Sequence, residues 1–177
     1  MAHCLIIGQT LSGKSSLSKR LAARYKANGV GVLVFDPVGD PEWSADYKTH
    51  KWADFWDAYK NSRRCAIFVD EARIPQVEAP HQIDEIATRG RHRGHRAHFI
   101  VQRTKMLAPT PRNQCSELFI FSTGRDDAKE LGAEWNEPTL HDVAPNLRVG
   151  EYIHKRRMHP MQRGYLFAGQ GLQSAGE

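Results

Sequence analysis

The 177-residue chain is 40% hydrophobic and 25% charged, a length and balance that suit one soluble globular domain with its own core. Its 25 Lys and Arg against 20 Asp and Glu give a net charge of +5, so the placement of the basic residues says more about partners than their total. No basic-then-apolar leader opens the sequence and no apolar run approaches the roughly 18 residues needed to cross a bilayer, which argues against a membrane span within the chain.

The first predicted element is a strand over Cys4–Ile7, "CLII", which runs straight into "GQTLSGKS" at Gly8–Ser15. This is the pattern G-x-x-x-x-G-K-[ST] in the strand–loop–helix context it requires. Gly8 and Gly13 allow backbone angles that turn N–H groups inward onto phosphate oxygens, and the following helix start adds unpaired donors. Lys14 is expected to reach the β- and γ-phosphates of a nucleotide, and the Ser15 hydroxyl to hold Mg²⁺. The candidate binding set is Gly8, Gln9, Thr10, Leu11, Ser12, Gly13, Lys14, Ser15 and Ser16.

The helix extends over Lys14–Ala27, with Leu17, Leu21 and Tyr25 on one side and Asn28–Gly29 as its stop. A second strand is predicted over Val30–Phe35, closed by Asp36–Pro37. Between Asp40 and Ser62, Trp52, Phe55, Trp56 and Tyr59 fall along one side of a helix; packing on the sheet explains them, and a base-stacking platform requires exposed rings. The third strand, Cys65–Val69 within "CAIFVDE", is continuously apolar, as a central parallel strand should be. Asp70 at its carboxyl end stands where open α/β sheets collect ligands and is expected to hold Mg²⁺ through water. Glu71, next in line, is expected to orient and deprotonate an attacking water. That favours hydrolysis over transfer to a small acceptor.

A helix beginning at Pro80 buries Ile83, Ile86 and Ala87 and ends raggedly between Gly90 and Gly94. The fourth strand, Ala97–Gln102, ends in an amide; beside the third strand, Gln102 points into the same crevice, where it can sense the γ-phosphate or hold the attacking water. A fifth strand follows over Glu117–Ser122, then a short helix over Asp126–Leu131, then two edge strands near Leu147–Ile153 and Gly164–Phe167. The last ten residues read as a flexible tail, leaving a single domain over residues 1–167.

Charge is unevenly placed. From Thr88 to Asn113 seven Arg and Lys occur without one Asp or Glu, and a second basic patch, "HKRRMHPMQR", carries Lys155, Arg156, Arg157 and Arg163. Guanidinium groups so grouped suit nucleic-acid phosphates without reading sequence. Alternatively one of them, with Arg91 and Arg93 leading, serves as a finger on a neighbouring subunit's γ-phosphate. His92, His95 and His98 recur every third residue, but Gly94 interrupts any helix there, a strand is expected at His98 and no cysteine or carboxylate lies nearby as a fourth ligand, which argues against a zinc site. The cysteines Cys4, Cys65 and Cys115 form no CxxC pair and read as reduced thiols of a cytosolic compartment.

Taken in order, "GQTLSGKS", "IFVDEAR", "RHRGHRAHFIVQR" and "NQCSELFIF" resemble the FtsK/HerA branch of P-loop ATPases, particularly the compact genome-packaging ATPases of tailless, membrane-containing double-stranded DNA viruses. The resemblance covers roughly Leu5–Phe121. It implies a RecA-like (ASCE) α/β fold, with a mostly parallel sheet between helices and antiparallel edge strands toward the C-terminus. It also implies Mg²⁺ and ATP as cofactors. Lys14 and Ser15 match the Walker A pair, Asp70 and Glu71 match Walker B, Gln102 matches the polar sensor, and an arginine is supplied in trans. The implied protein is a ring-forming, Mg²⁺-dependent ATPase that moves double-stranded DNA into a capsid. It would work in the host cytoplasm or at the packaging vertex of the virion. A small-molecule or nucleotide kinase, and a nucleotide-gated component of a phage assembly or secretion apparatus, remain as alternatives.

Overall fold

Side-chain alternation along the strands builds two cores, one on each face of a single sheet. The computed structural model describes residues 3–167; the expected tail at 168–177 lies outside them. Strand β1 (His3–Ile7) is buried at all five positions. Leu5 and Ile7 enter one apolar cluster, and Cys4 and Ile6 the other, because successive strand residues face opposite ways. Strands β2 (Val32–Phe35), β4 (Ala66–Val69), β5 (Arg96–Val101) and β6 (Cys115–Ile120) divide their residues between the same two clusters.

Helix α1 (Lys14–Ala27) packs Leu17 and Ala22 into the second cluster. The first cluster is capped by α2 (Trp52–Asn61), α4 (Pro80–Arg89) and α6 (Arg125–Glu134), through residues such as Phe55, Ile83 and Leu131. The aromatic side of α2 is core: Phe35 meets Trp52 edge-on at 5.1 Å between ring centroids and Phe55 at 5.9 Å. That arrangement removes the base-stacking reading for these rings.

The sheet has eight strands in the order β3-β2-β4-β5-β1-β6-β7-β8, where β3 is Tyr47–Thr49, β7 is Glu151–Arg156 and β8 is Gln162–Tyr165. Every pair from β3 to β6 is parallel, and the β6–β7 and β7–β8 pairs are antiparallel. This is the RecA-like arrangement the sequence led us to expect, with β5 inserted between β1 and β4.

Several expectations need correction. β7 starts later than expected and β8 earlier, and of these two only β8 is an edge strand, since β7 pairs on both sides. β2 starts at Val32 rather than Val30; Gly31 stops short of it and its carbonyl accepts the Ala66 N–H at 2.8 Å. The edge strand β3 and the short helices α3 (Arg73–Glu78), α5 (Pro109–Gln114) and α7 (Leu140–Val143) were not foreseen. None is long enough to show a period, and α3 and α5 carry prolines that read as helix breakers. The span Gly90–Arg93 is a 3₁₀ turn rather than an irregular end. Among the described residues, no helix is long and apolar enough to cross a membrane.

Because Phe55 is fully buried between Trp52 and Phe35, truncation by Phe55→Ala is expected to cost about 3–5 kcal/mol, measurable as a lower urea midpoint.

Candidate nucleotide site

The carboxyl ends of four neighbouring strands meet the start of α1 at one rim of the sheet. The loop from Gly8 to Gly13 is seated there by backbone bonds: Gln9 N–H donates to the Ser122 carbonyl at 2.8 Å, and Gly150 N–H donates to the Ser12 carbonyl at 2.9 Å. A Cβ on Gly8 would stand 2.6 Å from that of Phe121, so only glycine allows this approach. Gly13 has φ 120° and lies against Leu166 and Phe121. Leu11 sits at the loop's apex with φ 62° and is 87% exposed.

Lys14 is only 8% exposed, and its Nζ donates to the Gln9 carbonyl at 2.9 Å. The ammonium is therefore folded back over its own loop, inside the ring of N–H groups that would receive phosphate. Burial lowers its pKa, and the charges of Glu71 and Asp70 work the other way.

Asp70 follows Val69 of β4. Its Oδ1 accepts the Glu71 N–H at 3.0 Å, in a tight turn that holds Glu71 at φ 47°. A non-glycine residue in this region is strained by roughly 1–2 kcal/mol, and the Ala72 N–H to Ile100 carbonyl bond at 3.0 Å helps hold the turn. Gln102 leaves the end of β5, the neighbour of β4. Its Nε2 donates to Glu71 Oε1 at 3.0 Å, and Thr10 Oγ1 donates to its Oε1 at 3.4 Å. A hydrogen-bonded chain Thr10–Gln102–Glu71 thus joins the loop to the acidic turn. Lys14, Ser15, Asp70, Glu71 and Gln102 all line one cleft of about 340 Å³.

One further residue in this cleft escaped sequence reading. Phe35 and Val69 are register partners and both enter the first cluster. The next residues, Asp36 and Asp70, therefore turn toward the α1 side. Asp36 is 1% exposed; its Oδ1 accepts the N–H groups of Val38 and Gly39 at 3.1 and 3.0 Å, while its buried Oδ2 has no partner. The Asp-Pro pair after an apolar strand signals only a stop, and nothing else in the residues around it singles out this carboxylate. The set of Ser15, Asp70 and an orphaned Asp36 oxygen is all hard oxygen, which fits Mg²⁺ held partly through its own waters.

Arg91 and Arg93 are elsewhere. They precede β5, whose five residue steps carry the chain about 17 Å to the cleft rim. Arg91 donates to the Gln114 carbonyl and Arg93 to that of Lys60 at 2.8 Å. Neither reaches the cleft of its own chain. The three histidines also separate: His98 is buried in stacking contact with Phe68, His95 is buried beside Tyr59, and His92 is exposed.

The family model described as the central domain of helicase HerA (DUF87) matches residues 1–80, a span that includes the loop and the Asp70–Glu71 turn but stops before Gln102. No curated protein matches significantly. Among solved structures, the genome packaging NTPase B204 from Sulfolobus turreted icosahedral virus 2, in complex with AMPPCP, superposes with a TM-score of 0.76 at 16% identity; the match covers 92% of this chain and 96% of that one. The fold is that of the RecA-like P-loop ATPases. The pCW3 conjugation coupling protein TcpA, with ATPγS, is similar at TM-score 0.70 and 15% identity over 93% of this chain and 59% of its own. VirB4 of Thermoanaerobacter pseudethanolicus is similar at 0.69 and 13% over 93% and 88%. The likeness of fold thus covers 92% of this chain, whereas the family model ends at residue 80.

Burial, aided by the charges of Glu71 and Asp36, raises the Asp70 pKa from 3.8 to about 6, against the pull of the Glu71 N–H and Lys14. Between those values the native state keeps a proton that the unfolded chain has released. Native stability without nucleotide is therefore expected to fall as pH rises from 3.8 to about 6. Asp70→Asn should flatten that part of the curve of urea midpoint against pH.

Proposed function

We propose that the protein is a Mg²⁺-dependent ATPase that drives double-stranded DNA into a viral capsid as a ring of identical subunits. The observation that carries the hydrolytic part is the Thr10–Gln102–Glu71 chain beside buried Lys14 in one cleft. The phosphates of ATP lie in the Gly8–Ser15 loop against Lys14, whose charge meets the negative charge that grows during transfer. Leu11, Val38, Val149 and Phe167 give the cleft an apolar side suited to the base. Ser15, with Asp70 and Asp36 acting through water, would hold Mg²⁺, which would supply positive charge to the phosphates.

Glu71 takes a proton from the water that attacks the γ-phosphorus, and ADP leaves as the bond to its β-phosphate oxygen breaks. Gln102 holds the Glu71 carboxylate in place through Nε2, and its Oε1 faces Thr10, so a change at the phosphate loop is felt at the base. A loose transition state demands such positioning more than covalent help.

The viral B204 fold likeness, over nearly the full length of both chains, supports the packaging reading, and the basic segments support a phosphate-backbone partner. Since Arg91 and Arg93 are remote from their own cleft, an arginine finger from either must come from a neighbouring subunit. Such an assembly belongs in the host cytoplasm or at a capsid vertex.

Glu71→Gln is expected to lower ATP turnover by at least about 100-fold while leaving ATP binding intact, and long duplex DNA should raise wild-type turnover. Stimulation by a nucleoside or small metabolite instead would move the reading to a kinase. Asp36→Asn keeps the Oδ1 turn and removes the orphan charge. It should raise the Mg²⁺ concentration needed for nucleotide binding about tenfold, followed with a fluorescent ATP analogue.

A further inference from the structure

Ion pairing separates the basic residues into two groups. Several are neutralised by carboxylates: Arg103 pairs with Asp127 at 3.1 Å, and buried Arg112 pairs with Glu130 and Glu134 at 2.8 and 3.0 Å. Lys155 pairs with Glu137 at 2.9 Å and Arg163 with Glu151 at 3.0 Å. At the rim opposite the nucleotide cleft, basic groups outnumber the carboxylate they share. Arg96 opens β5, Arg156 closes antiparallel β7, and both point to a single carboxylate, Glu117, with His154 Nε2 on the same group at 2.7 Å. Arg157 is held by the Cys115 carbonyl at 2.9 Å and lies over Trp135 at 4.5 Å. A carbonyl and a ring fix its direction without cancelling its charge. Among the described residues, Arg24 near the end of α1 makes no ion pair.

These groups surround open space. Helix α1 does not cover the part of the sheet formed by β6 and β7, which leaves a cleft of about 600 Å³ between Arg24, Arg96 and Arg156, with Tyr25, Phe119 and Tyr152 on its apolar side. A second cleft, of about 410 Å³, shares Arg96, Glu117 and Arg156 and continues past Arg157 to His159. The two basic segments, through Arg96 and Arg156 60 residues apart in sequence, thus meet on one groove. Glu117, with its side chain 6% exposed, is the positioning residue that ties them: one buried carboxylate orients two guanidinium groups and leaves a net positive charge.

We propose that this groove, on the rim opposite the nucleotide cleft, is where the protein holds the phosphodiester backbone of nucleic acid. A row of pre-oriented guanidinium groups along an open channel matches a repeating phosphate chain. An enclosed pocket would be expected for a single small anion. The aromatic side chains give the sugars an apolar surface to rest on. The inference rests on the nucleic-acid part of the function proposed above and adds the surface that carries it.

The test is duplex DNA affinity measured across salt concentrations for wild type, for Arg24→Gln with Arg156→Gln, and for a control pair, Lys105→Gln with Lys129→Gln. The control removes the same charge from exposed positions outside the groove. Loss of two phosphate contacts should lower the slope of log affinity against log salt by about 1.8, with affinity down at least tenfold at low salt. The control pair should keep the wild-type slope. Binding of a fluorescent ATP analogue and the thermal midpoint should match wild type in both. A wild-type slope in the groove variant, or an equal loss in the control, would overturn the groove while leaving the ATPase reading in place. Wild-type protein that fails to bind duplex DNA at low salt would remove the nucleic-acid reading and the groove together.

Discussion

The insertion of β5 between the phosphate-loop strand and β4 is the constraint on which the candidate site depends. Had β1 and β4 been neighbours, the Asp70–Glu71 turn would lie directly against the loop with nothing between. With β5 interposed, the end of that strand stands between them, and whatever residue leaves it must deal with both. Gln102 suits the place because an amide donates on one side and accepts on the other. It donates to Glu71 and accepts from Thr10. A carboxylate there would repel Glu71, and an apolar residue would leave both polar neighbours unserved.

The rest of the cleft follows from register. Parallel strands in step deliver Asp36 and Asp70 side by side on the α1 side of the sheet, because Phe35 and Val69 before them both face the other core. Two carboxylates and a lysine so placed are costly without a ligand: Asp70 is pushed toward its neutral form, and an oxygen of Asp36 goes unserved. A hydrated cation and a polyphosphate would supply the partners that these groups do not find within the protein. The same ledger explains the backbone at Glu71, bent into the left-handed region and held there by bonds to β5.

Much of this was legible in the residues. Lys14–Ala27 is helical to the residue expected, since a glycine before it and Asn-Gly after it punctuate the chain strongly. The central strands announced themselves as short apolar runs, and the placement of Gln102 beside Glu71 followed once β5 was taken as the neighbour of β4. What could not be read is non-local. Asp36 looks like any strand-closing aspartate until register sets it beside Asp70. The division of arginines into neutralised and free depends on partners such as Asp127, Glu130 and Glu117, which come from other elements. α3, α5 and α7 have too few turns to show a period and are held by tertiary contact.

Strand β7 joins the two ends of the molecule. Just before it starts, Gly150 donates to Ser12 of the phosphate loop and accepts from Leu166, and at its far end Arg156 reaches Glu117. Because β7 is laddered on both sides, it is a stiff strut rather than a tether. Any shift of Ser12 that accompanies filling or emptying of the loop pushes on one end of a rod whose other end carries a guanidinium, so the two rims cannot move independently.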